Sequence, residues 1–459
     1  MRGAVIGRSV LFGLLVGLMS IVASAGAAER CAECVTAGAG YAPLRVPGGT
    51  PLAGYGGLQR RLLFPDLLGR YPHAFWFRPS AGEHDPVGAR ALVLQNRTSR
   101  VVWVTLDLIA VDRAFTRALQ ERLAASGTVP ATLIVSASHT HSGPGAFMDS
   151  ELSGLIAIDR MDSTVRDALV AGAAAAIRRA DAARVPALVA TTRVTAPAVT
   201  VSRIREPLDS EIVVLKVTGA DGKPLALLWN FAIHGTMFPA ASPQLSADVM
   251  GAASALLEQR LGAPALFVNG AVGDVSPAGH GMLALRETAA GLAAAVEAGW
   301  TQARAVPAVG LRVAQRSVAL PRPAVSLKRC VGGWVPGFFA IPLFGLPAET
   351  ELLAAAVGDA AWVTIPGELQ TSFGLAIKRE VRGLFGAVLL AGLSNDYLGY
   401  FMGPEATGSK SYVACATLYG PDAGTCLADA ALDLFYRLAD RPRPPGRSSP
   451  GCNAGGEAR

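Results

Sequence analysis

Three of the six histidines in the 459-residue sequence stand where short apolar runs end. His139 and His141, in Ser138-His139-Thr140-His141-Ser142-Gly143-Pro144-Gly145, follow the run from Thr132 to Ala137. His234 closes the run from Leu227 to Ile233 and is followed at once by Gly235. Residues i and i+2 of an extended segment face the same side, so His139 and His141 can address one point. Neutral imidazole nitrogen is a common zinc ligand, and strand ends are where α/β proteins gather their chemical groups, so the three side chains suggest a zinc site. A His-x-His pair alone more often marks surface histidines beside a turn.

Carboxylates recur at the same kind of place. Asn269-Gly270-Ala271-Val272-Gly273-Asp274-Val275-Ser276-Pro277 follows the apolar run from Ala265 to Val268, and its glycines let the backbone come close to a ligand. Asp274 could serve as base to a metal-bound water. Ser276 could donate a hydrogen bond or act as nucleophile, although no Gly-x-Ser-x-Gly elbow surrounds it. Glu368, in Ile365-Pro366-Gly367-Glu368, again lies just past an apolar run. Taken singly, each carboxylate reads as a helix cap or turn residue.

Taken in order, these segments, with Asn230-Phe231-Ala232-Ile233-His234-Gly235-Thr236 and Thr417-Leu418-Tyr419-Gly420-Pro421, resemble the neutral/alkaline, non-lysosomal ceramidase family from about Thr50 to Cys426. The resemblance implies a zinc amidohydrolase that cleaves the N-acyl bond of ceramide or a related lipid amide, releasing a fatty acid and an amine such as sphingosine. It implies Zn2+ on His139, His234, Glu368 and Tyr400, the last being the second tyrosine of Asn395-Asp396-Tyr397-Leu398-Gly399-Tyr400. It also turns His141 toward the substrate and sets Tyr412 in the active site. Asp274 is then the general base, and His141, Tyr412 and Arg203 hold the developing oxyanion. Without the resemblance, Tyr397 and Tyr400 read as core aromatics at a strand end.

The sequence departs from the family pattern in three places. Gly235 stands where Pro commonly follows the histidine, and Phe401-Met402-Gly403-Pro404-Glu405-Ala406 replaces an expected Glu-Glu-Tyr. The segment that supplies a substrate-contacting arginine is blurred to Val201-Ser202-Arg203-Ile204. Two alternatives stand beside the zinc amidase. One is a metal-independent hydrolase with Ser276 as nucleophile and His141 or His234 as base; the other is a non-catalytic lipid- or glycan-binding protein.

The elements that must position these residues alternate between strand and helix. Strand-like runs cover Ala91 to Leu94, Val101 to Val111, Thr132 to Ala137, Ile212 to Val217, Leu225 to Ile233, Ala265 to Val268, Ala361 to Ile365 and Ala387 to Leu393. Helical periodicity fills Phe115 to Ala125, Met161 to Ala180, Ser246 to Leu261, Leu283 to Ala298, Ser372 to Val381 and Cys426 to Leu438. Several runs are apolar on both faces and require cover on both sides. The expected class is α/β in three layers, a mixed β-sheet with helices on both faces. It forms a single large domain over residues 28–440 with no C-terminal β-sandwich. Residues 28–60, rich in Gly, Ala and Pro, read as an irregular leading segment. The Gly- and Pro-rich stretch within 316–348 carries Trp334, Phe338 and Phe339. It suits a loop that touches a membrane surface or closes over a pocket, and equally a buried surface loop.

Composition bounds the rest. At 51% hydrophobic and 17% charged, with mean hydropathy +0.37, the chain is not intrinsically disordered. Of the net charge of +6, the first 27 residues carry +2 and the last 19 carry +3. The body is left at +1, with no basic face for nucleic acid. Arg2 and Arg8 precede an apolar stretch from Val10 to Ala23, too short for the ~20 residues of a membrane span, and Ala23-Ser24-Ala25 follows. Residues 1–27 therefore read as a signal peptide directing bacterial export to the periplasm or medium. Residues 441–459 read as a disordered tail. Cys31, Cys34, Cys330, Cys415, Cys426 and Cys452 fit structural disulfides of undetermined pairing, with half a zinc site at Cys31 and Cys34 as the alternative.

Overall fold

The computed structural model describes residues 34–127, 132–307, 310–331, 339–408 and 411–444. Residues 1–27, read from sequence as a signal segment, together with Cys31, Trp334, Phe338, Cys452 and the tail beyond residue 444, lie outside the described residues.

The larger sheet has nine strands. Its main order is Thr132–Ala137, Arg100–Leu106, Gly88–Gln95, Thr36–Pro43, Val185–Thr195, Glu211–Gly219, Pro224–Phe231 and Ala265–Asn269, with Val306–Pro307 pairing Val185–Thr195 off this path. The first two of these strands run parallel, as do the last two, and the other neighbours are antiparallel. A second sheet of four strands is ordered Leu311–Ala319, Glu349–Val357, Ala360–Thr364 and Ala387–Ala391, of which only the last pair is parallel.

The two sheets pack face to face. Val101, Trp103, Val213, Leu215 and Leu266 meet Leu353, Ala355, Trp362 and Leu389 in one core, and the Trp103 and Trp362 rings lie 5.2 Å apart across it. Helices Arg113–Ala125 and Ser163–Ala182 cover one half of the larger sheet's outer face, and Asp248–Leu261 and Gly281–Gln302 cover the other. Thr371–Val381 and Ala423–Leu438 cover the outer face of the smaller sheet. The mixed α/β class expected from the sequence is what forms, with a fourth layer. Runs apolar on both faces demand cover, but their periodicity does not say whether helix or sheet supplies it.

Local chemistry explains the helices. The Asp112 and Asp162 carboxylates accept hydrogen bonds from the first free backbone N–H groups of their helices. Val165, Leu169, Ala173, Ala176, Ile177 and Ala180 then recur at helical spacing on the buried face. The leading segment is not irregular throughout, because Thr36–Pro43 is an interior strand of the larger sheet. Its glycines serve close packing. A Cβ on Gly38 would lie 2.2 Å from the Ala180 carbonyl oxygen, and one on Gly40 would lie 2.5 Å from that of Ala176. Cys330 is disulfide-bonded to Cys415, and Cys34 and Cys426 are also in disulfides. Among the described residues, no helix is long and apolar enough to cross a membrane.

Candidate metal centre and active site

Five chain segments leave the ends of five strands and converge. The strands are Thr132–Ala137, Pro224–Phe231, Ala265–Asn269, Ala360–Thr364 and Ala387–Ala391, drawn from both sheets. The sheets are tied at this end by backbone hydrogen bonds from Ala137 to Leu393 and from Gly392 to Asn269. His139, His234, Asp274 and Glu368 follow within five residues of their strands, and Tyr400 nine residues after its own.

Asn269 joins the two histidine segments. Its buried side-chain amide donates to the carbonyls of Ser138 and Ile233, both at 2.9 Å, and its Oδ1 accepts from the Ile233 and Gly270 N–H groups. One side chain thereby fixes the backbone immediately before His139 and immediately before His234. Backbone pairing continues the link, with His141 N–H donating to the Gly235 carbonyl at 2.8 Å and Gly235 N–H to that of His139 at 3.2 Å. A Cβ at Gly235 would stand 2.7 Å from Thr140 Cα and 2.8 Å from the His139 oxygen. The glycine that interrupts the family pattern is therefore required by this close approach.

The imidazoles meet, though not by simple strand alternation. His139 sits at φ +73, a left-handed conformation that costs a non-glycine residue roughly 1 kcal/mol or more. Its Nδ1 is 2.7 Å from the Ile109 carbonyl, which makes Nδ1 the donor and leaves Nε2 with its lone pair free. The ring centres of His139 lie 4.4 Å from His234 and 4.9 Å from His141, and ligand atoms of all three fall within 4.8 Å of one another. Glu368 Oε2 lies 3.1 Å from His234 Nε2 and 3.4 Å from His139 Nε2. Burial, with the neighbouring charges, holds His234 down at about 3 and His141 well below the ordinary histidine range. Burial alone would raise Glu368, but His139 and His234 outweigh it and keep the carboxyl well below its usual value. His234 and His141 are thereby held neutral beside an ionised Glu368.

Two tyrosines flank Glu368. Tyr400 is its direct partner in a short parallel pairing, Glu368–Leu369 with Tyr400–Phe401, while the Tyr397 hydroxyl donates to Glu368 Oε1 at 2.8 Å. Tyr397, read from sequence as a core aromatic, is thus part of the site. Arg203 connects the next layer: Nε donates to Ser276 Oγ at 2.7 Å, NH1 donates to the Tyr400 hydroxyl at 3.3 Å, and its backbone N–H donates to the Asp274 carbonyl. Asp274 is fully buried. Its Oδ1 accepts from Thr371 N–H at 2.7 Å and Oγ1 at 2.8 Å, Oδ2 has no partner, and burial raises the pKa of the carboxyl.

A cavity of about 500 Å³ opens onto this cluster, lined by Tyr55, His141, Arg203, Thr236, Tyr400 and Tyr412 among others. Tyr412 stands at its mouth, its ring 5.7 Å from that of Tyr400. Tyr55 was not legible from sequence; its ring lies 5.1 Å from His141 and its hydroxyl donates to the Phe238 carbonyl at 2.8 Å. The only local signal was the glycine run around it: a Cβ at Gly54 would lie 2.6 Å from His141 Cα. Of the three aromatics assigned to a lipid-facing loop, only Phe339 is among the described residues, and it is about half exposed.

The donor set fits a divalent metal such as zinc. His139 Nε2, both ring nitrogens of His141 and His234, and Glu368 Oε2 are all buried without a hydrogen-bond partner. Buried polar atoms are rarely left so, and orphans of this kind around one point are what nitrogen and oxygen ligands of a cation look like without it.

Residues 77–290 match the model of a family described as neutral/alkaline non-lysosomal ceramidase, N-terminal. Neutral ceramidase B of Dictyostelium discoideum is 31% identical over 86 residues, and the neutral ceramidase of Drosophila pseudoobscura pseudoobscura is 30% identical over 89. These alignments span 17% and 18% of this chain and 12% of each relative. The crystal structure of neutral ceramidase from Pseudomonas aeruginosa superimposes with a TM-score of 0.75 at 20% identity, covering 91% of this chain and 76% of that one. A ceramidase complexed with C2 gives the same score and identity. The residues that match this family's N-terminal model hold His139, His141 and His234, whose loops the fold brings together, and the chain has the fold of the neutral ceramidase on which it superimposes.

Proposed function

We propose that the protein is a zinc-dependent amidohydrolase that cleaves the N-acyl bond of ceramide or a related lipid amide, giving a fatty acid and an amine. The observation that carries this reading is the cluster of partnerless imidazole and carboxylate atoms at one end of a cavity lined by His141, Arg203 and Tyr400. His139, His234, Glu368 and Tyr400 would hold the ion, which when bound supplies Lewis acidity toward an amide carbonyl and acidifies water. Asp274 takes a proton from the attacking water and returns it to the leaving nitrogen. His141, Tyr412 and Arg203 donate to the developing oxyanion, and Tyr397 orients Glu368 through its hydroxyl. Arg203 reaches both Ser276 and Tyr400, so it also holds the Asp274–Ser276 segment against the metal ligands.

Metal analysis of the purified protein, with a panel of N-acyl lipids assayed before and after chelation, tests the proposal. Chelator-insensitive turnover would favour Ser276 as nucleophile. Against that alternative, the hydrogen bond recorded for Ser276 Oγ is to Arg203, not to an imidazole. Export, proposed from Arg2, Arg8 and the apolar stretch behind them, is checked by cell fractionation. Membrane contact through Trp334, Phe338 and Phe339 is checked by replacing them with Ser and measuring vesicle binding.

A further inference from the structure

The segment Leu58-Gln59-Arg60-Arg61-Leu62-Leu63-Phe64-Pro65-Asp66-Leu67-Leu68 turns its large apolar side chains outward. Leu58, Leu63, Phe64, Leu67 and Leu68 are between 78% and 90% exposed. The backbone beneath them is held firmly. Leu62 and Asp66 N–H groups donate to the Trp76 and Phe75 carbonyls, and the buried Asp159 carboxylate accepts from the N–H groups of Phe75, Trp76 and Phe77. Arg61 donates to the carbonyls of Gly56, Leu155 and Ile156. That last contact sets Leu155 and Ile156, each 47% exposed, beside the excursion. The apolar face is therefore an ordered feature, and it is larger than a monomeric soluble protein ordinarily leaves to water.

Its position and charge point to what covers it. Gly54, Tyr55 and Gly56, just before the excursion, line the cavity, and Gly54 N–H donates to the Ala157 carbonyl of the neighbouring turn. The face is thus continuous with the cavity mouth. Between Gly57 and Arg78 the one acidic side chain, Asp66, is buried and pairs with Arg70 at 3.5 Å, while the Arg70 and Arg78 side chains still reach the surface. Apolar side chains flanked by exposed guanidinium groups complement an anionic lipid surface, where the first enter the acyl boundary and the second meet the headgroups. We propose that Leu58, Leu63, Phe64, Leu67 and Leu68, with Leu155 and Ile156, form a docking face for anionic lipid bilayers that sets the cavity mouth against the membrane. The proposal rests on the lipid-amide reading for its purpose, not for its binding.

The test is the triple variant Leu63→Ser, Phe64→Ser and Leu67→Ser in the full chain, with co-sedimentation on phosphatidylcholine–phosphatidylglycerol vesicles as the primary readout. The variant should melt with the parent, bind these vesicles at least about tenfold more weakly, and hydrolyse a vesicle-borne N-acyl lipid more slowly while cleaving a short-chain soluble amide at the parent rate. Unchanged vesicle binding would overturn the docking face. So would a parent that sediments as a dimer and a variant that sediments as a monomer, since the face would then belong to a second copy. A parent that cleaves neither amide defeats the amidase reading alone, because vesicle binding is measured without turnover.

Discussion

His234 Nε2 and Glu368 Oε2 lie 3.1 Å apart, both buried and neither in a hydrogen bond, although 134 residues separate them in the chain. His139 Nε2 approaches the same oxygen at 3.4 Å. Three groups that would otherwise have been buried unsatisfied share one focus, which is costly unless a cation completes it. Purified protein is expected to carry about one zinc ion per chain. His139→Ala, His234→Ala and Glu368→Gln should each lose both metal and turnover, as measured by elemental analysis and amide hydrolysis. Full metal content in all three variants would remove the site.

Asn269 hydrogen-bonds only to backbone in these contacts, and through them it fixes the chain before two proposed ligands. Asn269→Ala should weaken metal binding by roughly 10- to 100-fold, the range typical of groups that orient ligands. Titration with a competing chelator reads this directly. An unchanged metal affinity would mean that the backbone pairing of His139 and His141 with Gly235 is sufficient alone.

Asp274→Asn keeps the oxygen that accepts from Thr371 while removing the charge. If Asp274 is the base, the variant retains its metal and its melting temperature and loses about 10²- to 10⁴-fold in kcat. Turnover equal to the parent would make Asp274 a structural residue that anchors Thr371 and Arg203.

Asp248 offers a test of stability against pH. It is buried at the start of its helix, its carboxylate accepts from Val249 and Phe238 N–H groups, and burial pushes its pKa up to about 6. Because the folded state holds this proton more tightly than the unfolded state, stability should fall as pH rises from about 4 to 6, by at most about 3 kcal/mol. Asp248→Asn, which tolerates the residue's φ of +54, should flatten that slope and melt higher than the parent above pH 6. Parallel melting curves for both proteins across the window would refute the effect.

The Cys330–Cys415 disulfide closes a separation of 85 residues and joins helix Leu327–Cys330 to helix Tyr412–Cys415, which carries Tyr412 at the cavity mouth. Cys330→Ser with Cys415→Ser should cost about 4 kcal/mol of stability. It should also raise KM more than it lowers kcat, since Tyr412 loses its tether while the proposed metal ligands do not. A double variant with an unchanged KM would leave the bridge with a purely stabilising role.

The sequence by itself determined the elements and where their chemistry lies. The β-branched runs match Thr132–Ala137, Pro224–Phe231 and Ala265–Asn269, the helical periodicities match the six long helices, and the histidines, Asp274 and Glu368 are at the ends expected of them. These follow from local rules, in which side-chain alternation and capping reach only a few residues along the chain. The tertiary structure decided the rest, because it depends on contacts that no local period encodes. Gly38 and Gly40 looked like loop residues and are strand residues pressed against a helix. The second sheet covers a face where helices were expected. Tyr55 meets His141, and Asn269 reaches Ser138 across 131 residues. Sequence assigned no element to residues 58–68, and only the folded backbone beneath their leucines turned them to solvent.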